Sequence, residues 1–466
     1  MQTTASAVHP VMRPNNSERP RWAVIGGGML GMTTAHRLLQ AGNDVTIFES
    51  APALGGLASP WELGDLTWDR HYHVTLRSDS ALRSLLAELG LESDIRWVPT
   101  KTGFYTDGRL YSLSNAAEFL AFPPLRLTDK LRLAATIVYA SRLKDWRRLE
   151  KVSVSEWLTR LSGRRTFAKI WLPLLRAKLG ENYRQASAAF IWAIIARLYA
   201  ARRSGMKTES FGYVPGGYAR ILRSFQERLE AEGAHINTSQ TAVAIETNED
   251  SDGLSVRFSD GRRKEFNRVV ATVPGPVAAR LSAGLSADEV SRLNGVQYQG
   301  IICASLLLKR PLADYYVTNI TDSWVPFTAV IEMSALVDRS EFKGRHLVYL
   351  PKYVQPDHPA FELPDEQIEA EFLAALERMY PSFRRADVLA FRISRVRHVF
   401  PIATLNYSDR LPPMITSVPG FYVVNSSHIV NGTLNVNETV QLANTATDYI
   451  RMKPQAQSRQ VPVPTI

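Results

Sequence analysis

One cysteine, Cys303, occurs in a chain of 466 residues. That scarcity excludes an internal disulfide, a cysteine metal cluster and a redox dithiol, and it suits a reducing cytoplasm. The residue stands in the apolar run GIICASLLL, a setting for packing and not for nucleophilic catalysis. Long hydrophobic runs are missing too: none reaches the roughly eighteen continuous apolar residues of a membrane span. Residues 1–21 are polar and proline-bearing, without the apolar stretch of a secretory signal. The expected location is therefore the cytoplasm. Acidic charge is in deficit, 45 Asp and Glu against 55 Lys and Arg, which leaves a net charge of +10. Such an excess suits an anionic substrate, a membrane surface or simple solubility. No nucleic-acid motif accompanies it, so nucleic acid is not an expected partner.

The chain is longer than a single core usually organises, so two domains, interleaved or sequential, are expected. Its ends, 1–20 and 454–466, are polar and proline-rich and read as disordered tails. The clearest ordered stretch is AVIGGGMLGMTTAHRLLQAGNDVTIFES, residues 23–50. Trp22 to Ile25 is an apolar run suited to a buried parallel strand, Ala35, Leu38 and Leu39 keep helical spacing until Gly42, and Val45 to Phe48 is a second strand. Between strand and helix stand Gly26, Gly28 and Gly31. In that spacing the first glycine makes the turn, the second admits a pyrophosphate to the backbone, and the third lets helix and sheet pack closely. Glu49, at the end of the second strand, is placed to accept from a ribose hydroxyl. The pattern predicts a dinucleotide site and leaves nicotinamide and flavin both open.

After about Ser78 the chain reads as a long helical stretch reaching about Ser204, with Ser153 as a helix cap and an apolar helix interrupted at Pro173 and stopped at Gly180. Residues 210–273 return to α/β character, including a hairpin turning at Asp260–Gly261. Strands dominate 291–403 around one helix, DEQIEAEFLAALERMY, and the last ordered stretch is strand, loop and helix. That final helix opens at Asn435 and Val436, and Asn435 with Glu438 has capping-box spacing. Its first turn would present backbone donors to a charge gathering nearby. Leu125 to Lys151 holds apolar residues at helical spacing beside Arg126, Lys130, Arg132, Arg142, Lys144, Arg147 and Arg148. It reads first as the solvated face of a helical subdomain and second as a peripheral contact with anionic lipid.

A second glycine pair, Gly55 and Gly56, follows Glu49, and a strand near the carboxyl end leads into a glycine-bearing loop and a helix. Together with Gly26, Gly28, Gly31 and Glu49, these features resemble the flavin-containing amine oxidase superfamily, which includes protoporphyrinogen oxidase and phytoene desaturases. The resemblance implies FAD as the cofactor. It also implies an α/β fold in which a Rossmann-like FAD-binding domain is assembled from discontinuous segments, 21–80, 206–290 and 404–453. An α+β substrate-binding domain would come from 81–205, the helical part, and 291–403, the sheet part. Carried over by position, Gly26, Gly28 and Gly31 hold the pyrophosphate and Glu49 the adenosine ribose. Gly55 and Gly56 let the loop pass the phosphates and ribityl chain, and the backbone of Val243 meets the adenine. Gly216 and Gly217 begin the return to the FAD domain. Two departures stand out. Ala51, Ala53 and Leu57 replace basic residues common in relatives, and YVVNSS, with Asn425 and Ser426, replaces the usual alanine, glycine and aspartate. Asn425 and Ser426 can still hydrogen-bond a ribityl hydroxyl or phosphate.

The stretch DRHYHVTLRSD, residues 69–79, lies where such folds bring the chain past the flavin ring. The resemblance makes His73 the first candidate to face the ring and His71 the second, with a structural, hydrogen-bonded role as the alternative. Two histidines at i and i+2 on a strand share a face. Without cysteines or a carboxylate cluster of ligand spacing, however, no metal is expected. The implied activity is removal of a hydride equivalent from a carbon beside nitrogen or from an activated carbon–carbon bond of a small, possibly lipophilic substrate. No second GxGxxG with its own strand and acid follows, which points to oxygen or a quinone as electron acceptor. A rival is a non-redox, UDP-galactopyranose mutase-like isomerase of a nucleotide sugar, in which Arg176, Lys178, Arg345 and Lys352 meet a diphosphate. A third reading is a flavin-bearing scaffold without turnover.

Overall fold

The structure is a computed structural model and describes residues 19–203, 210–248, 253–430 and 432–452. The two tails expected to be disordered lie outside the described residues, apart from Arg19 and Pro20. Trp22, Ala23, Val24 and Ile25 carry no polar side chain suited to solvent, and the strand Arg21–Ile25 is buried on both faces accordingly. It is the middle strand of a five-stranded parallel sheet, in the order Phe421–Val423, Arg268–Ala271, Arg21–Ile25, Asp44–Phe48, His235–Asn237. Strands far apart in sequence thus complete one sheet.

Alternation along each strand divides its side chains between two layers. Val24, Val45 and Ile47 point to a core shared with the helices Met29–Gln40, Gly217–Ala231 and Val436–Met452. Ala23, Ile25 and Val269 point the other way, onto the three-stranded antiparallel sheet Ala242–Thr247, Leu254–Phe258, Arg263–Phe266. The turn at Asp260–Gly261 joins its last two strands, with Gly261 at φ +85.

A seven-stranded mixed sheet forms the second large layer, in the order Val388–Pro401, Tyr298–Leu308, His346–Val354, Ala329–Glu332, Val317–Ile320, Thr102–Thr106, Arg109–Ser112. Every residue of Tyr298–Leu308 is buried. Its even-numbered Ile302, Ala304 and Leu306 pack under the helix Asp365–Met379, while Ile301, Cys303 and Leu307 face Trp68 and Phe342. Burial pushes the Cys303 thiol well up, consistent with a packing role.

The helical block gathers Leu127–Arg142, Val154–Ser162, Leu172–Leu179 and Ala188–Arg203 around Trp157, Leu158 and Leu179. The Ser153 hydroxyl accepts from the Glu156 N–H at 3.1 Å, the expected cap. Gly180 ends the helix Leu172–Leu179 at φ +57, but Pro173 does not interrupt it: helical residues continue without a gap from 164 to 179, and the expected break is only an irregularity just before the proline. A π-helical turn, Phe167–Trp171, precedes it.

Two further expectations change. Residues 81–205 are not helical throughout, because Arg96–Pro99, Thr102–Thr106 and Arg109–Ser112 are strands. The last two form a hairpin at Asp107–Gly108, both at positive φ, and extend the seven-stranded sheet through Val317–Ile320. The strand Leu66–Asp69 stops at Asp69, so His71 and His73 are not on a strand and share no face.

The turn after Arg21–Ile25 holds the closest backbone approach at the start of the sheet: a Cβ on Gly31 would stand 1.9 Å from the Gly26 carbonyl oxygen. Gly31→Ala must therefore displace the first helix from the sheet. The expected result in thermal or urea unfolding is a loss of about 2 kcal/mol or more; unchanged stability would show that the helix is not held so tightly.

Candidate functional site

The first glycine turn and the second meet backbone to backbone. The Gly55 N–H donates to the Gly27 carbonyl at 2.8 Å, Gly28 and Gly55 form an isolated parallel bridge, and a Cβ on Gly56 would stand 3.0 Å from the Gly28 Cα. Side chains are excluded from this junction, and Gly55 and Gly56 take φ of +121 and +57. The helix Met29–Gln40 begins here with no side-chain cap, so its first-turn N–H groups face the junction free of protein side chains. A groove floored by backbone and ending on a helix N-terminus is shaped for a pyrophosphate.

Glu49 closes one end. Its Oε2 accepts from the Gly27 N–H at 2.6 Å, and its Oε1 accepts from the Ala51 N–H at 2.8 Å. The Glu49 carbonyl accepts from the Gln240 N–H at 2.8 Å, which draws the approach to strand Ala242–Thr247 alongside. Val243, on that strand at a register shift, is 36% exposed.

Sequence reasoning missed Arg70. Its Nη2 donates to the Gly56 carbonyl at 2.7 Å while its Nε is buried with no partner. Burial, reinforced by Arg392, lowers its pKa. A guanidinium with an unused donor at the second glycine pair fits a phosphate, and it stands where Ala51, Ala53 and Leu57 supply no charge. The residues present therefore fit FAD, with Gly26, Gly28, Gly31, Glu49, Gly55 and Gly56 as the cradle. The signal for Arg70 was weak, since only the fold brings the end of Leu66–Asp69 back to Gly56.

The stretch after Asp69 sends successive side chains to separate places. His71 is buried; its Nδ1 donates to the Leu57 carbonyl at 3.1 Å, so its Nε2 accepts from the Ser394 hydroxyl at 3.1 Å. It ties the glycine loop to the long strand Val388–Pro401. Tyr72 shares a 2.7 Å hydroxyl bond with Tyr353. His73 lies against the Tyr218 ring, 4.7 Å between centroids, with its Nδ1 3.8 Å from the Asp69 carboxylate and without a hydrogen bond. Asp69 itself accepts from the Tyr218 N–H at 2.8 Å beside Gly217.

At the carboxyl end, the Asn425 carboxamide oxygen accepts from the Ser427 N–H at 3.0 Å and from the Ser427 hydroxyl at 2.6 Å, which leaves its Nδ2 buried and unpaired. The asparagine that replaces glycine or aspartate is thus committed to its own loop. Ser426 instead lines a cavity of about 200 Å³, together with Gly432, Thr433 and Leu434 from this loop, Phe400 from the large sheet and Lys178 from the helical block. Half of the expected capping box forms: Asn435 Oδ1 accepts from the Glu438 N–H at 3.1 Å, while the Glu438 side chain bonds Asn437 instead of the cap. Glu438 is pushed up by burial. Val436 opens the helix in this first turn.

His71 carries a pH signature. Burial, opposed by its bond to Leu57, lowers its pKa to about 3, against about 6.5 for an unfolded chain. A proton therefore favours the unfolded chain. The stability His71 contributes is complete above about pH 6.5 and declines as the pH falls toward 3. His71→Gln should show its largest deficit in urea unfolding at neutral pH, narrowing on acidification; a constant deficit would show that the ring does not stay neutral.

Residues 30–448 match the family of flavin containing amine oxidoreductases. The zeta-carotene desaturase of Synechocystis sp. is 26% identical over 250 residues, 49% of this chain and 50% of that protein. The coproporphyrinogen III oxidase of Mycobacterium tuberculosis is 26% identical over 291 residues, 57% of this chain and 61% of that protein. The chain thus spans about half to three-fifths of these curated relatives. Among solved structures, a protoporphyrinogen oxidase-like protein from Exiguobacterium sp. shares the fold, with a TM-score of 0.73 at 17% identity over 93% of this chain and 99% of that one. The match covers most of the first helix, the whole seven-stranded sheet and most of the last helix: the chain belongs to the flavin-containing amine oxidoreductase family, and its cofactor is FAD.

Proposed function

We propose that the protein is an FAD-dependent oxidoreductase that removes a hydride equivalent from a carbon beside nitrogen or from an activated carbon–carbon bond. The observation that carries this reading is the cavity bordered at once by the carboxyl-terminal loop, the seven-stranded sheet and the helical block. FAD, when bound, accepts the hydride equivalent and passes the electrons to an acceptor such as oxygen or a quinone. The chain's own part is to bind, orient and exclude water. Phe190, Ile194, Phe400 and Ile429 supply apolar walls to the cavity, so a substrate leaves water as it enters. We place Gly26, Gly28, Gly31, Arg70, Gly55 and Gly56 at the diphosphate, Glu49 and Val243 at the adenosine, and Ser426, Asn435 and Val436 toward the ring. His73 remains the histidine nearest the ring in this reading, while His71 positions the loop that carries Leu57. The segments 21–80, 206–290 and 404–453 form the cofactor domain, and 81–205 with 291–403 form the substrate domain.

The mutase reading has less support. Of the four basic residues it invoked, Arg176 pairs with Glu181 at 3.2 Å, Arg345 pairs with Asp65, and Lys352 lies 3.8 Å from Glu371. Lys178 alone lines the cavity. The purified protein should be yellow and release about one FAD per chain on acid treatment, and a substrate amine or alkene should bleach its visible bands in the absence of oxygen. A colourless protein that binds NADH and cannot be reconstituted with FAD would sink the proposal. Stoichiometric FAD with no substrate reduction across both classes would favour a scaffold.

We further propose a peripheral contact between the helical block and anionic lipid. No helix among the described residues is long and apolar enough to cross a membrane. Leu127, Leu131, Ala135 and Tyr139 nevertheless follow at four-residue intervals on an exposed face, with Leu127 62%, Leu131 59% and Tyr139 47% open, beside Leu120 at 55%. Arg126, Arg132 and Arg142 are exposed along the same helix. An apolar stripe edged with arginine fits an anionic headgroup layer. Replacing both leucines, Leu127→Glu with Leu131→Glu, should weaken sedimentation with phosphatidylglycerol vesicles about tenfold or more. Equal sedimentation of the two proteins would assign the stripe to solvent.

A further inference from the structure

Lys178 occupies an unusual position for a lysine. It lies near the end of the helix Leu172–Leu179, where Arg176, two residues earlier, faces solvent and Glu181. Lys178 instead turns inward onto the cavity. Its Nζ stands 3.5 Å from the centroid of the Tyr353 ring and 4.9 Å from that of Phe400. Among the described residues no oxygen accepts a hydrogen bond from it and no carboxylate pairs with it, although an ammonium has three protons to donate. Lys178 is part-buried, so its ammonium keeps some hydration; contacts with aromatic faces are worth about 0.5–2 kcal/mol and offset part of the hydration it loses. Burial lowers the pKa of the amine accordingly.

The rest of the cavity narrows what completes the site. Its lining includes no aspartate, glutamate, arginine or histidine. Tyr407, the other titratable group there, already donates its hydroxyl proton to the Ser427 carbonyl at 2.9 Å. On the far side of Tyr353, Tyr72 bonds its hydroxyl and brings no charge. One positive charge therefore lines a space of about 200 Å³ walled by aromatic and aliphatic groups, with the Glu438 carboxyl group behind Gly432, where burial favours its neutral form. A protonated amine entering it would meet a like charge in a medium of low dielectric. A diphosphate would bring more negative charge than one ammonium can balance.

We propose that Lys178 anchors a carboxylate on the substrate, and that the cavity selects a monoanion with a compact apolar body over a cationic amine. This rests on the reading that residues 425–436 border the flavin. The carboxylate then sits against the Nζ of Lys178, at the mouth of the Tyr353 and Phe400 faces, and the apolar body reaches toward Ser426 and Gly432. Lys178 is a specificity-determining residue in this scheme and takes no part in the transfer of electrons.

Matched aromatic probes test the idea in the FAD-loaded protein, with affinity read by calorimetry and the flavin bands read by absorbance. Benzoate should bind saturably and benzylammonium at least about tenfold more weakly, since a charge-assisted bond in a dry site is worth about that much. Lys178→Met should weaken benzoate about tenfold or more, and Lys178→Arg should restore most of it. Lys178→Gln serves as a second neutral variant should the methionine fail to fold. Benzoate that binds through Lys178 and also shifts the flavin bands supports both the subsite and its place beside the cofactor. Lys178-dependent binding with no spectral shift keeps the subsite and removes it from the flavin. Absence of saturable benzoate binding, an affinity indifferent to Lys178, or equal binding of benzylammonium would overturn the proposal.

Discussion

Two loops touching through backbone alone are the constraint around which the cofactor end of this protein is arranged. Gly56 can lie against Gly28 because it has no Cβ to press on the Gly28 Cα, and Gly31 can bring the first helix onto the strand only because a Cβ there would strike the Gly26 carbonyl. A carbonyl and an amide at this junction satisfy each other, Gly55 to Gly27, so the contact needs no water to complete it. The other groups reach this contact from outside it: Glu49 from the end of the second strand, Arg70 from just after the hairpin Pro60–Leu63 and Leu66–Asp69, and the first turn of Met29–Gln40.

The second half of the site is fixed by links between lobes. His71 joins Leu57, next to the glycine pair, to Ser394 in the seven-stranded sheet. Tyr349 donates its hydroxyl proton to the Asp69 carbonyl at 2.5 Å, and Tyr72 reaches Tyr353 on the same strand. Asp69, His71 and Tyr72 therefore form a seam, each bonded to the seven-stranded sheet. Because these links are buried hydrogen bonds with good geometry, breaking one leaves its partner unpaired in a dry interior. The alignment of the two lobes follows from them.

What was legible in the sequence was what the chain writes locally. Gly26, Gly28, Gly31 and Glu49 fall within one strand, turn, helix and strand, and their spacing alone encodes the geometry. The Ser153 cap, the Gly180 stop and the Asp260–Gly261 turn are equally local. The hairpin at Asp107–Gly108 carried the same kind of signal but was absorbed into a helical reading, because its strands are short and helices follow directly. Arg70, Tyr72 and Lys178 had no such signature. Each acquires its partner through tertiary structure, Tyr72 from Tyr353 across most of the chain, and a lone arginine, tyrosine or lysine in sequence does not say which way it points. The histidines show the same limit, since only the end of the strand at Asp69 decides that they diverge.

The order of strands in the parallel sheet sets a timetable for synthesis. As the chain leaves the ribosome, Arg21–Ile25 finds Asp44–Phe48 at once, but its other neighbour, Arg268–Ala271, appears only after the whole helical block has been made. Phe421–Val423, which covers the outer edge of Arg268–Ala271, comes near the very end. Until then that edge is an unpaired row of backbone donors and acceptors, open to pairing with another unfinished chain. The loop that follows Phe421–Val423 carries Ser426 and one wall of the cavity, so a nascent chain has its glycine turns long before it has this cavity. Completion of the edge and completion of the pocket are one event, and a chain stopped short of Phe421 is left with neither.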